Sequence, residues 1–211
     1  MLKGEEKMHL LDQRTLGIVI LALLAALVIV KRMATGSVLD SPRGSLLAWL
    51  TNAFNLFFLL VANPAAALLL ITRHLEAVDT TRLAIGMPWL LIGLEIGGMV
   101  LYGMGYLLMA WALVRLAANY QVGGSSPRKT DEMIVAGPYR LVRHPMYAAA
   151  LSISLGLACL LQSLAFFSVF CIYLVLIVLL IPAEEESLQR VYGERYLAYR
   201  QKVRKLVPFL Y

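Results

Sequence analysis

The sequence predicts an all-α, polytopic integral membrane protein with about five transmembrane helices and a C-terminal cytoplasmic amphipathic helix. Two observations carry that prediction. The 211 residues are 60% hydrophobic and only 15% charged, whereas soluble domains average about half and a quarter. Apolar runs long enough to cross a bilayer also alternate with short polar stretches. The net charge of +6 suits basic loops beside anionic lipid. It does not suit nucleic acid, because the basic residues are not interleaved with a soluble aromatic platform. Cys159 and Cys171 lie in apolar runs without a Cys-x-x-Cys pair. They read as buried, inert thiols, with no disulfide framework and no metal site. The whole chain, 1–211, reads as one membrane domain.

In chain order, residues 1–14 are a charged lead-in expected to form a short surface helix. Leu16 to Val30 is the first span, with Leu10 and Leu11 available to lengthen it. No small-residue cleavage site followed by a soluble domain appears, so it reads as a retained helix. After a polar loop at 31–45, Leu46 to Ile71 is the second span. It carries Asn52, Asn55 and Asn63-Pro64, which read first as helix-packing residues and a kink. Leu83 to Val114 contains the third span, opened by Pro88. Gly93-x-x-x-Gly97 with Gly98, Gly103 and Gly105 predicts one close-packing face. Glu95 inside this span is a functional candidate.

Residues 115–211 form the expected catalytic region, after the three N-terminal spans of 1–114. Met146 to Leu161 and Leu164 to Ile181 are spans four and five, joined only by Gln162-Ser163. So tight a connection predicts an antiparallel hairpin over 146–181. It brings residues 137–147 near 182–200. Pro182 is expected to open the amphipathic helix, with Glu184 to Glu186 in its first turn. Val207 to Tyr211 reads as an apolar tail tucked on the core. The basic segments 31–45, 115–143 and the tail fall on one side, which the positive-inside rule makes cytoplasmic. The N-terminus is then outside.

Two polar clusters stand against this apolar background. Gly137 to Tyr147 holds Arg140, Arg143, His144, two tyrosines and two prolines. Arginines at i and i+3 can bind an anionic group. Glu184 and its neighbours offer acceptors for an ammonium or for hydroxyls. Together they describe a pocket for a zwitterionic, hydroxyl-bearing cofactor at one membrane face.

The run Gly137-Pro138-Tyr139-x-x-x-Arg143-His144-Pro145-x-Tyr147, then Glu184-Glu185-x-x-Leu188, then Tyr192-Gly193-Glu194-x-Tyr196-x-x-Tyr199 resembles the isoprenylcysteine carboxyl methyltransferase family and the wider membrane phospholipid methyltransferases. The resemblance covers about residues 131–209. It implies a membrane methyltransferase that uses S-adenosylmethionine, leaves S-adenosylhomocysteine and acts on a lipophilic or membrane-partitioning acceptor. It also implies that Tyr139, Arg143, His144, Pro145, Met146 and Glu184 hold the cofactor, with Met133 and Ile134 closing on it. Where relatives have a histidine two residues before that apolar pair, Asp131 stands here, and Ala149 replaces a common glycine.

No general base is assigned, since the resemblance gives His144 to the cofactor. Isoprenylcysteine enzymes carry a substrate-contacting arginine four residues before the cofactor glutamate, and Leu180 occupies that position here. Either another cation, Arg140 or Arg43, contacts the acceptor, or the acceptor is not a prenylcysteine carboxylate. The second reading is preferred, with an amine lipid as one example. Two rival functions remain: an NADPH-dependent membrane sterol-type reductase, which has a related Arg-His-Pro-x-Tyr stretch, and a non-catalytic membrane scaffold.

Overall fold

A computed structural model describes residues 10–37, 45–117 and 132–207. It is all-α, with four helices long and apolar enough to cross a membrane and one shorter apolar helix. The protein is a multi-pass integral membrane protein. The spans carry their large apolar side chains outward, among them Ile18, Trp49, Leu68, Leu107 and Val175. That is the arrangement expected of lipid-facing surfaces.

Helix α1 (Gln13–Thr35) starts after Asp12, whose carboxylate accepts from the Arg14 N–H at 3.1 Å, and ends on Gly36 at φ 76°. Leu10 and Leu11 therefore lie before the cap and do not lengthen the span. Of the charged lead-in, only residues 10–14 are described.

The second span is Leu46–Ile71, built from α2 (Leu46–Phe57), a π-helical turn at Phe58–Ala62 and α3 (Asn63–Ile71). Pro64 has no N–H to give the preceding turn, and the π register is where the ladder absorbs that loss. After the short α4 (Leu75–Val78), helix α5 (Pro88–Leu116) opens at Pro88 as expected.

Helices α6 (Pro145–Leu161) and α7 (Leu164–Tyr192) form the expected hairpin. Gln162 takes the left-handed conformation, and the Ser163 side chain accepts from the Phe166 N–H at 3.3 Å. The loop before α5 holds this tip: Leu83 N–H donates to Gln162 C=O at 2.8 Å, and Arg82 Nε donates to Leu161 C=O at 3.0 Å.

The α5–α6 contact sets the position of the C-terminal half. A Cβ on Gly98 would stand 3.0 Å from the Gly156 carbonyl oxygen, and one on Gly105 would stand 2.7 Å from Ile153. Open space faces Gly93, Gly97 and Gly103. The close-packing face is thus Gly98 and Gly105, seven residues and two turns apart, and not Gly93-x-x-x-Gly97. Ser152 Oγ donates across this contact to Leu101 C=O at 2.8 Å. Helix α1 packs on α3 and α5, and α7 packs on α2 and α6, so the two halves of the chain share one bundle.

Two more expectations need correction. Pro182 does not open a new helix, because α7 runs through it to Tyr192. The chain breaks instead at Gly193, φ 55°, before α8 (Glu194–Lys202). A proline in a helix interior costs one hydrogen bond, and twenty-eight other residues of α7 keep the helix intact around it. Cys171 is exposed on the apolar surface of α7 and Cys159 is half-buried, so neither is a fully buried core thiol. Glu95 is buried and accepts from the Leu10 N–H at 2.9 Å, which ties the chain before α1 to α5.

Replacing Gly156 by valine tests the α5–α6 contact, since a Cβ there would stand 2.6 Å from the Tyr102 backbone nitrogen. The expected loss is about 1–3 kcal/mol, read as a lowered Tm in detergent. Gly97→Ala, which faces open space, should leave Tm nearly unchanged.

Candidate active site

The signature stretch begins against the C-terminal end of α5. Gly137 at φ 64° lets the chain turn against the Arg115 side chain, and the 3₁₀ turn Gly137–Arg140 follows. Pro138 and Tyr139 are buried in this turn, while Arg140 is exposed. Residues 142–144 then lie beside the segment that follows α8. Arg143 N–H donates to Arg204 C=O at 2.7 Å and His144 N–H to Lys205 C=O at 3.0 Å. This two-bond strap carries Leu206 into the core beside Tyr147 and Tyr173. Leu206 precedes the apolar tail expected at 207–211; of that tail Val207 is exposed, and residues 208–211 lie outside the described residues.

Arg143 points away from the solvent and into the junction of α6, α7 and the strap. Its Nε and Nη2 reach Glu185 Oε1 at 2.8 and 2.7 Å. Its Nη1 donates to the carbonyl of Arg200 at 3.1 Å and to that of Val203. His144 Nε2 stands 3.3 Å from the same Glu185 oxygen. Glu185 is 4% exposed and Arg143 9% exposed, so this is a buried, fully engaged ion pair. Four of the five guanidinium N–H groups are spent on protein acceptors.

One residue back on α7, Glu184 faces a different way. Tyr147 donates to Glu184 Oε2 at 2.7 Å, and the Tyr147 ring stacks on His144 with centroids 5.7 Å apart and planes 19° apart. On α8, Tyr199 donates to the Tyr139 carbonyl at 2.6 Å. Burial pushes the Tyr199 and Tyr196 phenols well above the usual tyrosine range, so both stay neutral at physiological pH.

A cavity of about 210 Å³ joins these residues to the interior of the bundle. At one end it is lined by Tyr139, His144, Pro145, Met146, Tyr147 and Glu184. It is also lined by Asn52, Asn55, Asn63, Tyr106 and Tyr173, with apolar walls from Leu59, Met109 and Ile153. Lys31 also lines it. Five of the residues expected at the cofactor therefore meet on one wall. Arg143 is adjacent but does not line the cavity; Arg140, Met133 and Ile134 also lie off it, the last two half-buried. Asp131 and Arg43 lie outside the described residues.

Sequence reasoning did not single out Glu185 as the partner of Arg143, nor the strap at 203–206. It read the span asparagines as packing residues; all three line the cavity. Their spacing, Asn52, Asn55, then Asn63 two turns on, was the available signal, since it places them on one helix face.

The geometry defines a membrane-embedded bundle with a largely apolar internal cavity that carries the polar groups of the signature and of Glu184 on its wall. Residues 94–195 match the phospholipid methyltransferase family model, a region that runs from within α5 to the first residues of α8 and contains the signature except for Tyr196 and Tyr199. No curated protein matches the chain. Residues 94–195 thus belong to the phospholipid methyltransferase family, whose activity is methyl transfer from S-adenosylmethionine.

Removing one partner of the Arg143–Glu185 pair should destabilise the fold, because a buried charge is left unmatched. Arg143→Ala and Glu185→Ala are each expected to cost about 3–5 kcal/mol. The double variant Arg143→Met/Glu185→Leu should cost less than the sum. Thermal unfolding of the four proteins in one detergent measures the coupling.

Proposed function

We propose that the cavity is the methyl-transfer site, with the cofactor at the Tyr139–Glu184 end and a lipophilic acceptor along the asparagine face. The observation that carries this is the single cavity joining both sets of residues. The donor set fits the cofactor. Glu184, held by Tyr147, accepts from an ammonium or from ribose hydroxyls. Lys31 on the same cavity supplies the opposite sign for a carboxylate. The His144–Tyr147 stack, Pro145 and Met146 offer an apolar platform. Arg143 acts as a positioning residue, fixing His144 and the first turn of α6.

S-adenosylmethionine supplies a methyl group already activated on a sulfonium. The protein's task is alignment and exclusion of water. The buried ion pair and strap hold the cofactor wall still. The apolar walls from Met109, Leu113 and Ile153 keep the inner cavity poor in competing nucleophiles. Chain 1–211 acts as one domain in this reading, because α1, α2, α5, α6 and α7 all contribute to the cavity. The absence of a cation at Leu180, which is 1% exposed in the core, favours an acceptor other than a prenylcysteine carboxylate.

The signature side of the bundle is the cytoplasmic side in this proposal. Lys31, Arg32, Arg115 and the cations of α8 and the strap gather there. On the other side Arg73 pairs with Asp12 at 3.0 Å and Arg82 with Glu76 at 2.8 Å. That asymmetry follows the positive-inside rule.

Titration calorimetry should show binding of S-adenosylhomocysteine and none of NADPH. Glu184→Ala should weaken the former about 10- to 150-fold, the equivalent of one charge-assisted hydrogen bond. Binding of NADPH with no response to S-adenosylhomocysteine would overturn the reading. For orientation, Ser37→Cys and Ser125→Cys in a cysteine-free background should react with a membrane-impermeant maleimide only from the cytoplasmic side. Reaction from outside would invert the proposed topology.

A further inference from the structure

At the inner end of the cavity, Asn63 is fully buried, and its Nδ2 has no hydrogen-bond partner. Its other amide atom is spent: Tyr102 donates to Asn63 Oδ1 at 2.7 Å. The Tyr102 oxygen is in turn 3.2 Å from the Tyr106 hydroxyl, both rings being buried. Since Tyr102 gives its proton to Asn63, Tyr106 gives its own to Tyr102. What remains at this end is one amide donor on Asn63 and the oxygen lone pairs of Tyr106, and both residues line the cavity. A buried amide donor in an apolar bundle is costly unless something accepts from it.

The site is also far from the charged end. Asn63 is seventeen residues beyond Leu46, where the span starts on the side of the Lys31 end of α1, roughly 25 Å along the helix. The charged residues of the cavity, Lys31 and Glu184, belong to the chain segments at the signature end. A charged group would find no counter-ion beside Asn63 among the lining residues, whereas an uncharged oxygen would be matched by an amide donor and, if it carries a proton, by Tyr106.

From this arrangement we infer that Asn63, oriented by Tyr102, is a specificity residue. It accepts only lipophilic methyl acceptors that carry an uncharged hydrogen-bonding oxygen, a carbonyl or hydroxyl, along their apolar body. This inference rests on the proposed function, because it takes the inner cavity to be the acceptor's path. The three buried groups act as a unit. Tyr106 orders Tyr102, Tyr102 spends the Asn63 oxygen, and the nitrogen is thereby left for the ligand.

The test uses the full-length protein reconstituted with total membrane lipid and methyl-labelled S-adenosylmethionine. Asn63→Ala should raise the lipid fraction giving half-maximal rate about five- to tenfold, the size expected of one lost neutral hydrogen bond. Its affinity for S-adenosylhomocysteine should not change. Tyr102→Phe, which releases the amide from its fixed orientation, should give a smaller rise in the same direction. Mass spectrometry of the labelled product should show a carbonyl or hydroxyl oxygen in its lipophilic part. Unchanged half-saturation in Asn63→Ala overturns the inference, as does a product with a plain hydrocarbon body. An equal loss of S-adenosylhomocysteine affinity assigns Asn63 to the fold and overturns it too. If the wild-type protein neither binds S-adenosylhomocysteine nor labels any lipid, the proposed function itself has failed, and the inference with it.

Discussion

The pairing of Arg143 with Glu185 joins three segments at one buried point, beside the backbone bonds that already tie residues 143 and 144 to the strap. Arg143 stands just before α6, Glu185 lies on the last third of α7, and the carbonyls of Arg200 and Val203 belong to the end of α8 and the strap. Desolvating two such charges is costly, and the attraction compensates only when the remaining hydrogen-bonding capacity is filled. Here it is filled, by two oxygen contacts on the carboxylate side and by backbone carbonyls on the other. The pair therefore sets geometry more than it adds stability. With Arg143 turned inward, His144 and Tyr147 on the next turn face the cavity.

Helix lengths place this junction. Helix α6 has 17 residues and α7 has 29, although the two start from a common tight turn. Helix α7 therefore runs about 18 Å beyond the end of α6. That overhang carries Glu184 and Glu185 past the apolar segment to the membrane face. The depth of α6 is fixed separately, by the close approach of Gly98 and Gly105 to its backbone. In a membrane, helix association depends on such packing, since lipid is as apolar as the side chains. Contact between small residues on α5 thus determines where the signature lies relative to the glutamates of α7.

Much of this was legible in the sequence. Apolar runs marked the four helices long enough to cross a membrane and the shorter apolar helix α6, and Gln162-Ser163 marked the hairpin that brings the two polar clusters together. The misreadings share a physical origin: local residue preferences were outweighed by continuous packing. Pro182 looks like a helix start, yet the helix on both sides is stable enough to carry it. Gly93 and Gly97 have the right spacing for close packing, but among the described residues nothing lies within 4 Å of where their Cβ would be. The strap at 203–206 has no periodic pattern of its own, because its contacts are backbone hydrogen bonds to residues 143 and 144. The cavity was hidden for a related reason. Asparagine in a span has the same sequence appearance whether its partner is a neighbouring helix or an enclosed space.

Adjacent glutamates on α7 explain why the spacing of the signature matters. Neighbouring positions on a helix differ in direction by about 100°. Glu185 consequently points to Arg143 and the strap, while Glu184 points to Tyr147 and the cavity. The same division recurs before α6, where Arg143 goes to the junction and His144 shares both the junction and the cavity wall. Each motif thus pairs a residue that fixes the structure with a neighbour that faces the ligand space. A one-residue slip in either helix would exchange those roles, burying a carboxylate without its arginine and leaving the cavity without its acceptor. The ion pair therefore protects the register of the cavity lining, although Arg143 itself never reaches the cavity.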